Sequence, residues 1–309
     1  MSTHNIAFTA PHFSATEAGT FILKQGGTAT EAMVAAAAAI SVVYPHMNSI
    51  GGDSFWLIDN PNQSTPTAID ACGRAPSDIS AYSNEQHIPE RGGLSALTQA
   101  ATLRGWQKAL EVDEHAALPL STILAPAIKL AREGFTVTKS LQAGCEKLAS
   151  VANTNDAFKA LYIPNGKPLQ AGQHFKNPKL ANTFEHLAKH GLNAFYEGEL
   201  ADSFASDLAK AGSIITPADI ANTKADVVTP LSANLSGISC YNLPAPTQGV
   251  HSLQIIGAVN QLKHKANTEA DWTHLIVEAT KQSFTHRPTL WADPEALGDD
   301  YKNALTDER

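Results

Sequence analysis

The sequence predicts an α/β protein built as a layered sandwich, and three observations predict it. Strand signals fall in a few short stretches, at residues 5–9, 55–70 and 231–243, on either side of a long, mainly helical middle. The segment 32–40 is alanine-rich and apolar on nearly every side, as suits an inner helix gripped between neighbouring layers. The strand signals are few for a chain of 309 residues, so helices are expected to flank a small amount of sheet.

Each element has a local cause. Residues 5–9 are a short buried-strand candidate. Ser14 and Glu17, three apart, form a capping box that opens a helix through Phe21, Ile22 and Leu23, stopped by Gly26-Gly27. Thr28 and Glu31 cap the next helix, which runs through the alanines and stops at Tyr44-Pro45. Strands at 55–59 and 66–70 are joined by the turn residues Asn60-Pro61-Asn62-Gln63. Helices follow at 102–110, at 120–132 ended by Gly134, and at 138–152. After the turn-rich Pro164-Asn165-Gly166-Lys167-Pro168 come helices 178–190, ended by Gly191, and 201–211, ended by Gly212. Thr216-Pro217 reads as an N-cap followed by proline at the first helical position. A strand returns at 231–243, and a last helix covers 271–284. With no repeat, low-complexity segment or linker, residues 1–309 are expected to form a single domain.

Composition narrows the function. A chain of 309 residues with 43% hydrophobic content can bury a large core. The formal charge of -8 argues against nucleic-acid or anionic-membrane partners. Twelve scattered histidines and the absence of Cys-x-x-Cys give no expectation of a metal site. Cys72, Cys145 and Cys240 are widely spaced and odd in number, which suggests reduced thiols. The N-terminus has neither a basic nor an apolar leader region, and the longest apolar stretch is too short to span a bilayer, so a cytoplasmic protein is expected.

The motifs point further. Tyr44-Pro45-His46-Met47-Asn48-Ser49-Ile50-Gly51-Gly52-Asp53-Ser54-Phe55, followed by Asp70-Ala71-Cys72-Gly73-Arg74-Ala75-Pro76, resembles the opening of the γ-glutamyltransferase (γ-glutamyltranspeptidase) family. That pattern runs Pro-x-x-x-Gly-Ile-Gly-Gly-Gly-x-Phe and then Asp-x-Arg-Glu-x-Ala-Pro. Further matches follow in order, among them Pro126-Ala127-Ile128, Gly134-Phe135, Ala194-Phe195-Tyr196 with Gly198, and Pro244-Ala245-Pro246-Thr247-Gln248-Gly249. His274, Glu278-Ala279, Lys281, Phe284 and Arg287 continue the register to Asp293-Pro294. Order and spacing over nearly the whole chain make the resemblance specific.

The resemblance implies the N-terminal-nucleophile fold, a four-layer αββα sandwich whose sheets are completed by a second subunit. It implies an autoprocessed zymogen in which this chain is the large subunit of a heterodimer. The nucleophile would be the N-terminal Thr of the small subunit, whose own α-amine takes the hydroxyl proton, so no catalytic residue is expected here. Thr306 is rejected as that nucleophile. Oxyanion donors belong to the other subunit in the family, so Gly51-Gly52 is read as a tight helix-to-strand connection needing positive φ or close backbone approach. Neither metal nor organic cofactor is expected to be needed for turnover.

In the family the large subunit contributes an arginine that clamps the donor's α-carboxylate, a task suited to a planar guanidinium. Alignment places Cys72 at that position and Arg74 two residues later. On a strand, two residues is one side-chain period, which would put Arg74 on the same face as Cys72, about 6.6 Å along. Arg74 is therefore the candidate carboxylate-binding residue and Cys72 a residue of the same pocket. A structural ion pair or cap for Arg74, and a buried filler for Cys72, are the alternatives. Three functions compete: a transferase or hydrolase of γ-glutamyl amides such as glutathione, an amidohydrolase of small dicarboxylic monoamides of the oxamate type, and a non-catalytic scaffold on the same fold. A fragment of such a protein would read the same way.

Overall fold

A computed structural model describes residues 6–83, 87–149, 156–290, 292–298, 301 and 303–305. The elements in chain order begin with helices α1 (Phe13–Lys24) and α2 (Ala29–Val43) and strands β1 (Ser54–Ile58) and β2 (Thr67–Ala71). The middle carries α3 (Thr102–Val112), α4 (Leu120–Glu133), β3 (Phe135–Thr136), α5 (Lys139–Ala149), α6 (Asp156–Tyr162) and β4 (His174–Phe175). Next are α7 (Pro178–His190), α8 (Glu199–Lys210) and α9 (Pro217–Ala221). The last part holds β5 (Asp226–Val228), β6 (Leu231–Leu235), β7 (Ile238–Asn242), α10 (Gly249–Leu262), α11 (Glu269–Thr285) and α12 (Arg287–Leu290). Two compact units result: Met1–Ser54 with Ala71–Ala225, and Phe55–Asp70 with Asp226–Arg309.

The first unit is built around α2. Its capping box closes as the sequence predicts, with Thr28 N–H donating to Glu31 Oε2 (2.8 Å) and Glu31 N–H to Thr28 Oγ1 (3.1 Å). Glu31 is only 1% exposed, and its other oxygen accepts the N–H groups of Ala117 (2.7 Å) and Leu118 (2.6 Å). A buried carboxylate is tolerated here because backbone donors surround it. Alanines let α1 and α4 approach α2 closely, and twelve of its fifteen residues are buried.

Two expectations near the N-terminus are corrected. Residues 6–9 form no strand, and Asn5 lies outside the described residues. The Phe8 ring instead occupies the space above Gly19, where a side chain on α1 would collide with it, and Ala10 N–H bonds to Thr16 Oγ1 (3.1 Å). Helix α1 is capped by His12, whose Nδ1 accepts from Ser14 N–H (3.1 Å), and not by Ser14, which is buried inside the helix. The helix at 178–190 has the expected bounds. That at 138–152 is described only as Lys139–Ala149, and the remainder lies outside the described residues, as does Thr306.

The second unit holds the strands β1-β2-β5 in one sheet, with β2 and β5 antiparallel and Ala68 opposite Val228. The hairpin turn between β1 and β2 is held by Asn60, whose carbonyl accepts Gln63 N–H (2.8 Å) and whose Oδ1 accepts Asn62 N–H (3.0 Å). The single strand expected at 231–243 is in fact the hairpin β6–β7, with Leu235 opposite Ile238. It reverses at Ser236 (φ 55°) and Gly237 (φ 85°), the paired positive φ of a tight two-residue turn. Helices α10 and α11 pack against each other, and α10 also lies on the hairpin. Several of this unit's large apolar side chains, among them Phe55, Leu57, Val227, Ile238, Ile276 and Val277, stay exposed, Ile238 by 68%. Among the described residues, no helix is long and apolar enough to cross a membrane.

Candidate active site

The segment carrying Cys72 and Arg74 begins where β2 ends. The ladder stops at Ala71, and 72–76 is irregular backbone. The two-residue period assumed for a continuing strand therefore does not set where the two side chains stand. Gly73 is buried, Cys72 half-buried and Arg74 exposed.

Backbone and side-chain bonds fix this irregular stretch from two sides. Gly73 N–H donates to Asp53 Oδ1 (2.8 Å), and Cys72 Sγ lies 4.0 Å from Asp53 Oδ2. On the other side Gln99 N–H donates to the Arg74 carbonyl (2.9 Å). Gly73 has to be glycine, since a Cβ there would sit 1.8 Å from the Gln99 carbonyl oxygen. Downstream, Ser77 N–H donates to Asp219 Oδ1 (2.9 Å), and Asp219 Oδ2 accepts Thr216 N–H (2.9 Å). Burial alone would push the Asp219 carboxyl up, but hydrogen bonds from Thr216 and Ser77 hold it below the ordinary aspartate value.

The supports are themselves anchored. Thr102 Oγ1 donates to the Asp53 carbonyl (3.1 Å), and Thr102 N–H to the Gly52 carbonyl (2.8 Å). Ala100, next to Gln99, accepts the Tyr196 hydroxyl (2.8 Å), and the Arg104 guanidinium lies 3.9 Å over the Tyr196 ring. Burial pushes the Tyr196 hydroxyl well above its ordinary value, so it stays a neutral donor. Gly51 N–H is satisfied by Ser49 Oγ (2.8 Å), and neither Gly51 nor Gly52 has positive φ or a crowding backbone neighbour. The tight connection expected there is present without the special glycine backbone.

Sequence reasoning passed over Asp53, Gln99 and Thr102. The signal for Asp53 was available, because it stands where the quoted pattern has the last of its four glycines. Also passed over was His186-Leu187-Ala188-Lys189-His190 on α7, a pair with ring centroids 4.5 Å apart. Among the described residues no group of three or more His, Cys, Asp or Glu could hold a metal ion. Ser140 Oγ lies 2.7 Å from His46 Nε2, but the buried His46 Nδ1 meets no carboxylate to orient the ring, so this is no nucleophile–base–acid set. Around this segment the Asp53 carboxylate stands beside the Cys72 thiol, and Arg74 is exposed two residues further along the chain.

Comparison with known proteins places these residues in context. The Gamma-glutamyltranspeptidase family profile matches residues 15–309. Oxamate amidohydrolase proenzyme of Klebsiella pneumoniae is 42% identical over 314 residues, covering 100% of this chain and 59% of that protein. Glutathione hydrolase proenzyme of Escherichia coli is 32% identical over 292 residues, covering 91% of this chain and 50% of that protein. The chain thus spans about half the length of the curated relatives it matches. The solved γ-glutamyltranspeptidase of Pseudomonas nitroreducens, complexed with L-DON, superposes with a TM-score of 0.87 at 27% identity, over 99% of this chain and 92% of that one. The α/β N-terminal-nucleophile-hydrolase fold expected from the sequence is the fold of these neighbours.

Proposed function

Because the chain belongs to the γ-glutamyltranspeptidase family, we propose that it is the large subunit of an autoprocessed amidohydrolase acting on small dicarboxylic monoamides of the oxamate type. Its single domain, 1–309, would complete its sheets with a small subunit from the same precursor, whose N-terminal Thr is the nucleophile. One observation carries the choice of substrate: position 72 holds a thiol beside the Asp53 carboxylate, where a γ-glutamyl clamp would need a guanidinium. The 42% identity with an oxamate amidohydrolase proenzyme over the whole chain supports it.

The chemistry follows from an N-terminal Thr. Its α-amine takes the hydroxyl proton as the oxygen attacks the amide carbon, and the tetrahedral oxyanion is held by hydrogen-bond donors of the small subunit. Collapse expels ammonia, which leaves with the transferred proton, and water then hydrolyses the acyl-enzyme. Arg74 holds the distal carboxylate and Cys72 lines the same pocket, so this chain binds and orients while its partner reacts. A cytoplasmic location, where Cys72, Cys145 and Cys240 stay reduced, belongs to the same proposal.

A second reading, hydrolysis or transfer of γ-glutamyl groups from glutathione-like amides, is favoured by the 32% identity with a glutathione hydrolase proenzyme. A panel of amides separates the two. On the processed enzyme, kcat/KM for a short monoamide such as oxamate is expected to exceed that for a γ-glutamyl anilide by about tenfold or more. The reverse order would establish the γ-glutamyl reading.

A further inference from the structure

Two departures from the family pattern meet in space. Asp53 stands where the pattern has glycine and Cys72 where it has arginine, and these side chains, 19 residues apart in sequence, approach to 4.0 Å. The Asp53 carboxylate uses Oδ1 to hold Gly73 N–H at 2.8 Å and turns Oδ2 toward Cys72. Asp53 itself is exposed, so this charge faces whatever occupies the corner.

From this we propose that Asp53 is a specificity-determining residue, resting on the amidohydrolase reading and deepening it. It makes the corner at position 72 anionic, so the acyl donor presents a neutral or N–H-bearing group there and its carboxylate is left to Arg74. The physical reason is charge pairing. A guanidinium at 72 would lie against the Asp53 carboxylate, pair with it, and be withdrawn from any substrate carboxylate. Glycine with arginine makes one self-consistent pocket, and aspartate with cysteine makes another. Mixtures of the two are mismatched. The donor class that fits is a short acid with one carboxylate and one primary amide, too short to place a second anionic group against Asp53.

The test is a double-mutant cycle on the processed enzyme made from the full precursor, with Asp53→Asn, Cys72→Arg and the pair. Asparagine keeps an oxygen to accept Gly73 N–H, so it removes charge while keeping that anchor. Intact masses of both subunits show that each variant has matured. For a γ-glutamyl anilide, Cys72→Arg alone is expected to change kcat/KM by less than about threefold, whereas the pair exceeds the product of the single changes by about tenfold, mainly through KM. Asp53→Asn alone supplies a second readout that does not depend on the arginine folding into place: KM for the γ-glutamyl donor should fall about threefold relative to KM for oxamate. Additive behaviour of the pair, or unchanged relative KM in Asp53→Asn, overturns the assignment while leaving the amidohydrolase intact. A matured wild type that hydrolyses no amide contradicts the amidohydrolase reading itself, and this assignment with it.

Discussion

Replacing Arg74 by alanine is expected to lower kcat/KM for the best donor by about 10- to 150-fold, equivalent to about 1.5–3 kcal/mol, the scale of a lost charge-assisted hydrogen bond. The side chain is exposed at the end of an otherwise anchored segment, with its own carbonyl tied to Gln99 and the preceding Gly73 tied to Asp53. Backbone anchoring of this kind fixes the point from which the side chain leaves the chain. Arg74→Lys should recover only part of the loss, because an ammonium cannot reproduce the planar fork. Autoprocessing should proceed in both variants, since it uses the nucleophile and not the binding corner. Steady-state kinetics on the matured proteins checks all three statements. Full activity of Arg74→Ala on that donor would leave Arg74 a structural residue.

The second large effect concerns solubility. Expressed without its small subunit, this chain is expected to aggregate. Among the described residues, β1 and β5 are the edges of the three-stranded sheet, and Phe55, Leu57 and Val227 on those strands are exposed. Ile238 on β7 is 68% exposed, and Ile276 and Val277 add apolar surface on α11. Unpaired edges beside exposed apolar side chains recruit other chains. Size-exclusion chromatography with light scattering checks this. A soluble, monodisperse isolated chain would mean that these surfaces need no partner.

How much of this was legible beforehand depended on whether the cause was local. The Thr28–Glu31 capping box and the 178–190 helix between Pro178 and Gly191 were read correctly, because their signals lie within a few residues of one another. The hairpin of β1 and β2 was legible for the same reason. Failures came where distant contacts decide. Phe8 looks like a strand residue until Gly19, eleven residues on, offers it a seat. The α1 cap is a local exception, since His12, two residues before Ser14, takes that place. Helix α10, which starts at Gly249, carries Gly257 in its interior and is weakly periodic, was not anticipated, since packing against α11 and the hairpin accounts for it better than pattern does. Cys72 and Arg74 are singled out by alignment to a motif, and the same-face argument for the pair fails because the strand ends at Ala71. The Asp53 contact spans 19 residues and carries no periodic signature, so only the folded chain reveals it.

On the proposed function, this chain is one half of a self-cleaved enzyme whose nucleophile heads the other half. Intact masses of the chains purified from the expressed precursor, with the N-terminal sequence of the smaller one, test it most directly. Two chains from one precursor are expected, the smaller beginning with Thr. A single uncleaved chain, or a smaller chain beginning with a residue that has no side-chain nucleophile, would contradict it and favour a non-catalytic scaffold on the same fold.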